Sequence, residues 1–478
     1  MKRIRLYQRR TKIVCTIGPA SSSVVVIEQL IKAGMNIARL NLSHGEHREH
    51  DHYIKTIRKL SQRLGINVAI LMDLPGPKYR TGKLEGDRAV LERGAQVVLT
   101  TKRVIGNAAL VPVSLPNLPQ DVKVGDTVFL DDGAIQLRVI EKGGREVTCR
   151  VTAGGVLTNG RGLVVPGMRT SGPFVTEALQ QHILFAVEEQ PEYLAISFVS
   201  SAQDVAKVKA TLGKDNADIP VIAKIERGEA VNNFDAILAV SDGIMVARGD
   251  LGVDIPLEQV PLVQKELIQK CNRVGKPVIT ATQMLESMVN AARPTRAEVT
   301  DVANAIFDGT DATMLSEETS IGKYPVQAVR TMAKIAEATE SKLPYEQLLA
   351  QREMWLERET DELISFSACL TAQRLGAVAI VALTQSGSTA RRVSKYRPHV
   401  PILAITLGNT TSGRLLLHWG VYPHQIGEVS SVEELFSAGA KLAKELGLAR
   451  AGDSIVITGG IPIGVAGSTN LLKVEKIS

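Results

Sequence analysis

Residues 220–256, PVIAKIERGEAVNNFDAILAVSDGIMVARGDLGVDIP, decide how this chain is read. Two short apolar runs, PVIAKIE and DGIMVAR, flank a helical stretch, and each ends in charged groups where a buried strand emerges into solvent. Alternation along the first strand puts Lys224 and Glu226 on one side of it. Gly249 and Asp250 follow the second. If the two strands are neighbours, one ammonium and two carboxylates meet, a set that suits a hard divalent cation beside a phosphate or enolate oxygen.

The same rhythm extends in both directions. Apolar runs at 11–18, 36–43, 67–73, 193–199, 220–226, 242–248, 277–283 and 312–318 alternate with amphipathic stretches such as SSVVVIEQLIKAG and SAQDVAKVKATLG. Runs that are apolar throughout and separated by helices predict a parallel sheet covered on both faces. Eight of them predict a closed TIM (β/α)8 barrel with its site at the strands' C-terminal ends. About a hundred residues after the third strand have another texture, with Gly/Asp turns between short alternating strands, as in VKVGDTVFLDDGAIQLRVIEKGGREVTCRV. They predict an all-β lid over the barrel mouth. After Leu343, VAIVALT, PILAITL and SIVITGG alternate with helices and predict an open α/β domain. The expected division is 1–83 with 172–343 for the barrel, 84–171 for the lid and 344–478 for the third domain.

Composition sets the outer limits. The 478 residues are 44% hydrophobic and 22% charged, as in ordinary globular proteins, and are too many for one core. An aromatic share of 4% argues against stacking platforms for single-stranded nucleic acid. The net charge of +6 is too dilute to specify a partner. Four scattered cysteines without a CxxC pair predict a reduced, intracellular protein. With neither a signal peptide nor an apolar run of about 18 residues, a cytoplasmic protein without membrane or nucleic-acid partners is expected.

Several long blocks in order carry a resemblance: TKIVCTIGPAS, GMNIARLNLSHG, residues 220–256, GKPVITATQMLESM and RPTRAEVTDVANAIFDGTDATMLSEET. Together they are similar to the pyruvate kinase family over essentially the whole chain. The resemblance implies phosphoryl transfer from phosphoenolpyruvate to ADP, giving pyruvate and ATP. It implies Mg²⁺ (or Mn²⁺) on Glu226 and Asp250, and Lys224 stabilising charge between phosphoryl group and enolate. Arg39 would contact the phosphoryl group, and Arg80, Arg161 and Asn41 the nucleotide. Thr282, through a relay with Ser316, would help protonate the enolate carbon, and the N–H groups of Gly249 and Asp250 would take the substrate carboxylate. The plain alternative for Thr282 is a helix cap.

The same likeness marks Asn41, Ser43 and Asp73 as a monovalent-cation site. Here the chain departs from potassium-dependent members, which typically carry Thr, Lys and Glu at Leu74, Pro75 and Lys78. Lys78 puts a tethered ammonium near that site, so little or no K⁺ dependence is expected. Arg161 stands in place of a lysine, Ile321 of a basic residue and Glu317 of a glycine, which leaves nucleotide preference open.

In TQSGSTARRVSKYRP (384–398), the loop Thr384, Gln385, Ser386, Gly387, Ser388 and Thr389 resembles the seat of an effector's phosphate, with helix capping by Ser388 or Thr389 as the alternative. GGIPIGVAGSTN lacks the arginine that relatives activated by fructose bisphosphate use, so a sugar monophosphate or AMP is expected. The family also implies a homotetramer, and the additional phosphohistidine-type domain of some bacterial relatives is not expected here. The histidines of SHGEHREHDH read as a solvated helix start rather than a metal site. Two competitors remain: a metal-dependent pyruvate-enolate aldolase or lyase on the same barrel, and a non-catalytic phosphometabolite sensor.

Overall fold

The computed structural model describes residues 9–168, 170–406, 408–427, 431–461 and 468–478. Eight parallel strands close into a barrel: β1 (Lys12–Thr16), β2 (Ile37–Asn41), β3 (Ala69–Leu74), β4 (Tyr193–Ile196), β5 (Val221–Ile225), β6 (Gly243–Ala247), β7 (Val278–Ala281) and β8 (Ala312–Leu315). Seven fall inside the runs read from the sequence and β3 extends one residue past its run, to Leu74; neighbours in the chain are neighbours in the sheet, β8 closing on β1. β5 is buried along its whole length, because side chains on one face fill the barrel and those on the other meet the helices.

Local signals fix where the helices start and stop. Ser23 caps Val24–Ala33 by accepting from the Val26 amide, and Thr295 with Glu298 forms a capping box on Arg296–Asp308. The barrel interior is filled by residues such as Leu71, Ile222, Met245 and Ile279, with Leu416 and Leu417 of the C-terminal domain joining this core. That domain therefore contributes to the barrel's own packing.

The lid has its own core and a seven-stranded sheet running from Tyr79–Arg80 to Leu110–Pro112. A Thr81–Val113 bridge and the Gly82 N–H to Pro112 O bond (2.8 Å) join its first strand to its last. The sheet begins upstream of Leu84, because Tyr79–Arg80 pairs with Gly162–Val164. In the C-terminal domain, four parallel strands and one antiparallel strand form an open sheet. Two of its strands, Val421–Gln425 and Leu471–Lys476, escaped the sequence reading. Both are edge strands: one carries Pro423, and the other alternates charges with apolar residues, patterns an edge tolerates. No helix among the described residues is long and apolar enough to cross a membrane.

One buried ion pair joins barrel and C-terminal domain. The Arg397 guanidinium donates to Asp311 Oδ1 (2.8 Å), Asn272 Oδ1 (2.7 Å) and Gly309 O (2.7 Å), while Asp311 also accepts from the Trp419 and Val278 amides. Asp311→Ala strands a buried guanidinium, an effect of about 3–5 kcal/mol. Denaturant unfolding is expected to show a clearly lowered midpoint for this variant. An unchanged midpoint would remove Asp311 from the junction.

Candidate active site

Every barrel strand contributes a polar group to its C-terminal end. From β5, the Lys224 ammonium lies 3.0 Å from Glu226 Oε1, so the two do share a side. The same ammonium donates to Ser197 Oγ (2.7 Å), just past β4, and to Asp73 Oδ1 (3.2 Å) on β3. Asp73 Oδ2 takes the Nε–H of Arg39 (2.7 Å), at the end of β2, and Arg39 donates on to Thr16 Oγ1 (2.9 Å) at the end of β1. All of these groups are buried.

Burial alone would drive the Lys224 ammonium towards neutrality, but Asp73 and Glu226 outweigh it and hold its pKa above the ordinary lysine value. Burial would likewise raise Asp73, yet Lys224 and Arg39 pull it below the usual carboxylate range. Glu226 is raised, chiefly by burial and further by the negative charge of Asp250, with Lys224 opposing. Its other oxygen accepts from the Phe198 amide (2.6 Å).

Asp250 faces the same cleft. A narrow cleft is lined by Phe198, Glu226 and Asp250 of the barrel, by Lys78, and by Leu163 and Met168 of the lid. Lys78 departs from its expected position. Its ammonium pairs with Asp250 Oδ1 (2.5 Å), not with Asn41, Ser43 or Asp73. Asp73 in turn directs both oxygens at Lys224, Ser197 and Arg39, and Asn41 Oδ1 accepts from the Ser43 amide (3.2 Å).

Thr282 stands just past β7, where its hydroxyl accepts from the Gly249 amide (2.8 Å) and donates to Ala281 O (2.6 Å). Two expectations change. Thr282 is not a helix cap, and the Gly249 N–H expected to meet substrate is already engaged. The Ser316 hydroxyl, after β8, is buried without a partner among the described residues, while its amide donates to Glu318 Oε2 (2.7 Å). Arg80 and Arg161 lie on adjoining lid segments, Arg80 donating to Gly160 O and Arg161 to Thr158 Oγ1. Arg39 and Arg80 both act electrostatically on His44, which brings the two arginines to one rim.

Strained backbone holds this rim in place. Phe198 (φ 58°), Thr282 (φ 67°) and Gln283 (φ 56°) occupy the left-handed region, which costs of order 1–3 kcal/mol for each such residue. Glu226 pins Phe198, and Arg248, anchored on Asp301 (2.8 Å), pins the Thr282 carbonyl (2.7 Å). Gly76 presses so closely on Ser197 that an added Cβ would lie 2.2 Å from its carbonyl oxygen. Ser197, Arg248 and Glu318 were missed in the sequence. Ser197 was accessible, as the serine that interrupts the apolar run YLAISFV.

The remaining candidates lie elsewhere. In the loop Thr384–Thr389, Gly387 (φ 85°) is the N-cap of Ser388–Lys395, and neither Ser388 nor Thr389 caps it. The Thr384 hydroxyl is buried without a partner among the described residues, Ser386 donates to Ser388 Oγ (3.2 Å), and Thr389 bonds Thr469 (2.8 Å). Residues 462–467 of the GGIPIGVAGSTN loop are outside the described residues. His47 contacts His182 (2.8 Å), and the described residues hold no group of three or more His, Cys, Asp or Glu side chains poised for a metal ion.

Comparison with known proteins names the constellation. Residues 8–329 match the pyruvate kinase barrel domain, and residues 362–475 its alpha/beta domain. The chain belongs to the pyruvate kinase family. It is 48% identical to a pyruvate kinase of Geobacillus stearothermophilus over 98% of this chain and 81% of that protein, and 49% identical to one of Bacillus licheniformis over 98% and 80%. A crystal structure of a pyruvate kinase from Cryptosporidium parvum superposes with a TM-score of 0.93 at 36% identity, covering 99% of this chain and 97% of that one. The activity is phosphoryl transfer from phosphoenolpyruvate to ADP in glycolysis, and nothing in the comparisons favours an aldolase or a sensor. Members of the family generally need Mg²⁺ and K⁺.

Ser197→Ala deletes the hydroxyl shared by Lys224 and Asp73. Hydrogen bonds to charged groups are worth about 1.5–3 kcal/mol, so kcat/KM is expected to fall by about 10–100-fold. A value within twofold of wild type (about 0.4 kcal/mol) would show that Lys224 is placed without it.

Proposed function

We propose that Lys224 carries the transferring charge in this site, with Arg39 on the phosphoryl group and Arg80, Arg161 and Asn41 along the nucleotide. The supporting observation is the buried ammonium fixed by Asp73, Glu226 and Ser197 beside the cleft that Asp250 also lines. Phosphoryl transfer needs positioning and charge neutralisation more than covalent chemistry, and an ammonium held on three sides supplies both. Lys224→Met removes the charge at similar volume. A coupled assay of pyruvate formation is expected to show at least a thousandfold loss of kcat (about 4 kcal/mol), and retained turnover would take Lys224 out of the mechanism.

Glu226 and Asp250 fit a divalent cation. The donors are carboxylate oxygens only, and two of them leave positions for substrate and water, as Mg²⁺ prefers. The charge of Asp250 that raises Glu226 is the kind of crowding such an ion relieves. Bound there, Mg²⁺ would neutralise charge on substrate oxygens. Thr282 and Ser316 act on the enolate carbon as members of a proton relay. A threonine hydroxyl is too weak an acid alone, and the partnerless Ser316 hydroxyl supplies a second member. With Gly249 engaged, the Asp250 amide is left as the backbone donor proposed for the substrate carboxylate.

Turnover in this chain needs little or no K⁺. The Lys78 ammonium brings a fixed positive charge to the cleft through Asp250, and Asp73 is satisfied by two cationic side chains. Activity in buffer free of K⁺ and Na⁺ is expected to stay within about tenfold (~1.4 kcal/mol) of that with K⁺, and a larger drop would reject this reading. The loop Thr384–Thr389, with its partnerless Thr384 hydroxyl, is proposed to seat the phosphate of a sugar monophosphate or AMP. A homotetramer in the cytoplasm completes the proposal; the exposed Leu257 and Leu262 supply apolar surface for subunit contact.

A further inference from the structure

Each of the two carboxylates that fit a divalent cation is paired with a lysine, and the two lysines are held unequally. The Lys224 ammonium has three polar partners, Asp73 (3.2 Å), Glu226 (3.0 Å) and Ser197 (2.7 Å), so drawing Glu226 away leaves it anchored. The Lys78 ammonium has one polar partner among the described residues, Asp250 Oδ1 (2.5 Å), with the Phe198 ring centroid 5.2 Å away. Asp250 is in the same position. Among the described residues Lys78 alone bonds its carboxylate, whereas Glu226 commits one oxygen to Lys224 and the other to the Phe198 amide.

The Lys78 and Asp250 side chains are only 13% and 25% exposed, so solvent ions screen the pair weakly. Both line the narrow cleft together with Glu226. A divalent cation on Glu226 and Asp250 would therefore meet a carboxylate that already carries an ammonium. Two cations crowded on one carboxylate repel each other. One of them has to move, and a flexible four-carbon stem with a single polar contact makes it Lys78.

We propose that Lys78 is the resident cation of the divalent site, pairing with Asp250 in the metal-free chain and leaving it when the site loads. This rests on Glu226 and Asp250 being the ligands, as proposed above. Lys78 thereby tunes metal affinity from outside the ligand set, as a positioning residue. It also links loading to the lid. Lys78 directly precedes Tyr79–Arg80, the strand paired with Gly162–Val164, so its departure from Asp250 undoes a tie between lid and barrel.

Binding of Mn²⁺ to the substrate-free full chain, followed by loss of the free ion's electron paramagnetic resonance signal, tests this without turnover. Lys78→Gln and Lys78→Met both remove the competing charge, and each is expected to bind Mn²⁺ at least about tenfold more tightly than wild type. Lys78→Arg keeps the charge and should stay within about threefold of wild type. Arg227 lines the same cleft but bonds Thr170 Oγ1 (3.2 Å), so Arg227→Gln controls for the general field and should also stay within about threefold. Glu226→Gln should weaken binding, which locates the ion. Unchanged affinity in Glu226→Gln would refute the ligand assignment and the role of Lys78 with it. Weakening there, with no gain in Lys78→Gln or Lys78→Met, would leave the ligands standing and overturn the role of Lys78 alone. An equal gain in Lys78→Arg or Arg227→Gln would overturn it too.

Discussion

Burying one ammonium between two carboxylates is the constraint around which the barrel mouth is organised. Lys224 can remain charged at 7% exposure only because Asp73 and Glu226 stand within 3.2 Å of it. Asp73 in turn needs Arg39 and Ser197, and Glu226 needs the Phe198 amide. With Asp250 and Lys78 the cluster holds three cations and three anions. Removing one member leaves a partner charged and desolvated, which costs far more than an exposed pair would return. A balanced cluster of this kind suits substrates that arrive as anions together with a divalent cation, since the two nearly cancel on entry.

That charge cluster also explains where strain is tolerated. Phe198, Thr282 and Gln283 have no intrinsic reason to adopt positive φ, and their neighbours compensate. Two of the three are held by polar anchors: Glu226 on the Phe198 amide, and Arg248 and Gly249 on the Thr282 carbonyl and hydroxyl. The anchors are themselves fixed by strands, so the rim is as rigid as the sheet beneath it. Substrate contacts built on such a rim lose little ordering entropy on binding.

Much of this was legible because barrel strands are short, apolar and spaced by helices, a pattern with few other solutions. Lys224, Glu226 and Asp250 were legible for the same reason, since strand period and strand adjacency together place them at one spot. Edge strands of the C-terminal sheet were not, because an edge accepts proline and alternating charge that central strands reject. Ser197 and Arg248 were missed because their significance lies in contacts across the barrel. Lys78 was read as a tethered charge beside Asn41, Ser43 and Asp73, and it lies on Asp250 instead. Nothing local to MDLPGPKYRTG says which way a four-carbon stem will run.

The direction it takes has a structural reason. Lys78 immediately precedes the first lid strand, and its stem passes Gly162, where an added Cβ would lie 2.6 Å from the lysine Cε. The ammonium then reaches Asp250 on the barrel and lies 5.2 Å from the Phe198 ring centroid. One side chain thus touches the lid, the loop after β4 and the carboxylate after β6. A glutamate at this position would face Asp250 with like charge and forfeit the ring contact, so both the lysine and the glycine opposite it belong to one lid–barrel junction. Through that junction, the posture of the lid and the charge around Asp250 are coupled by a single residue.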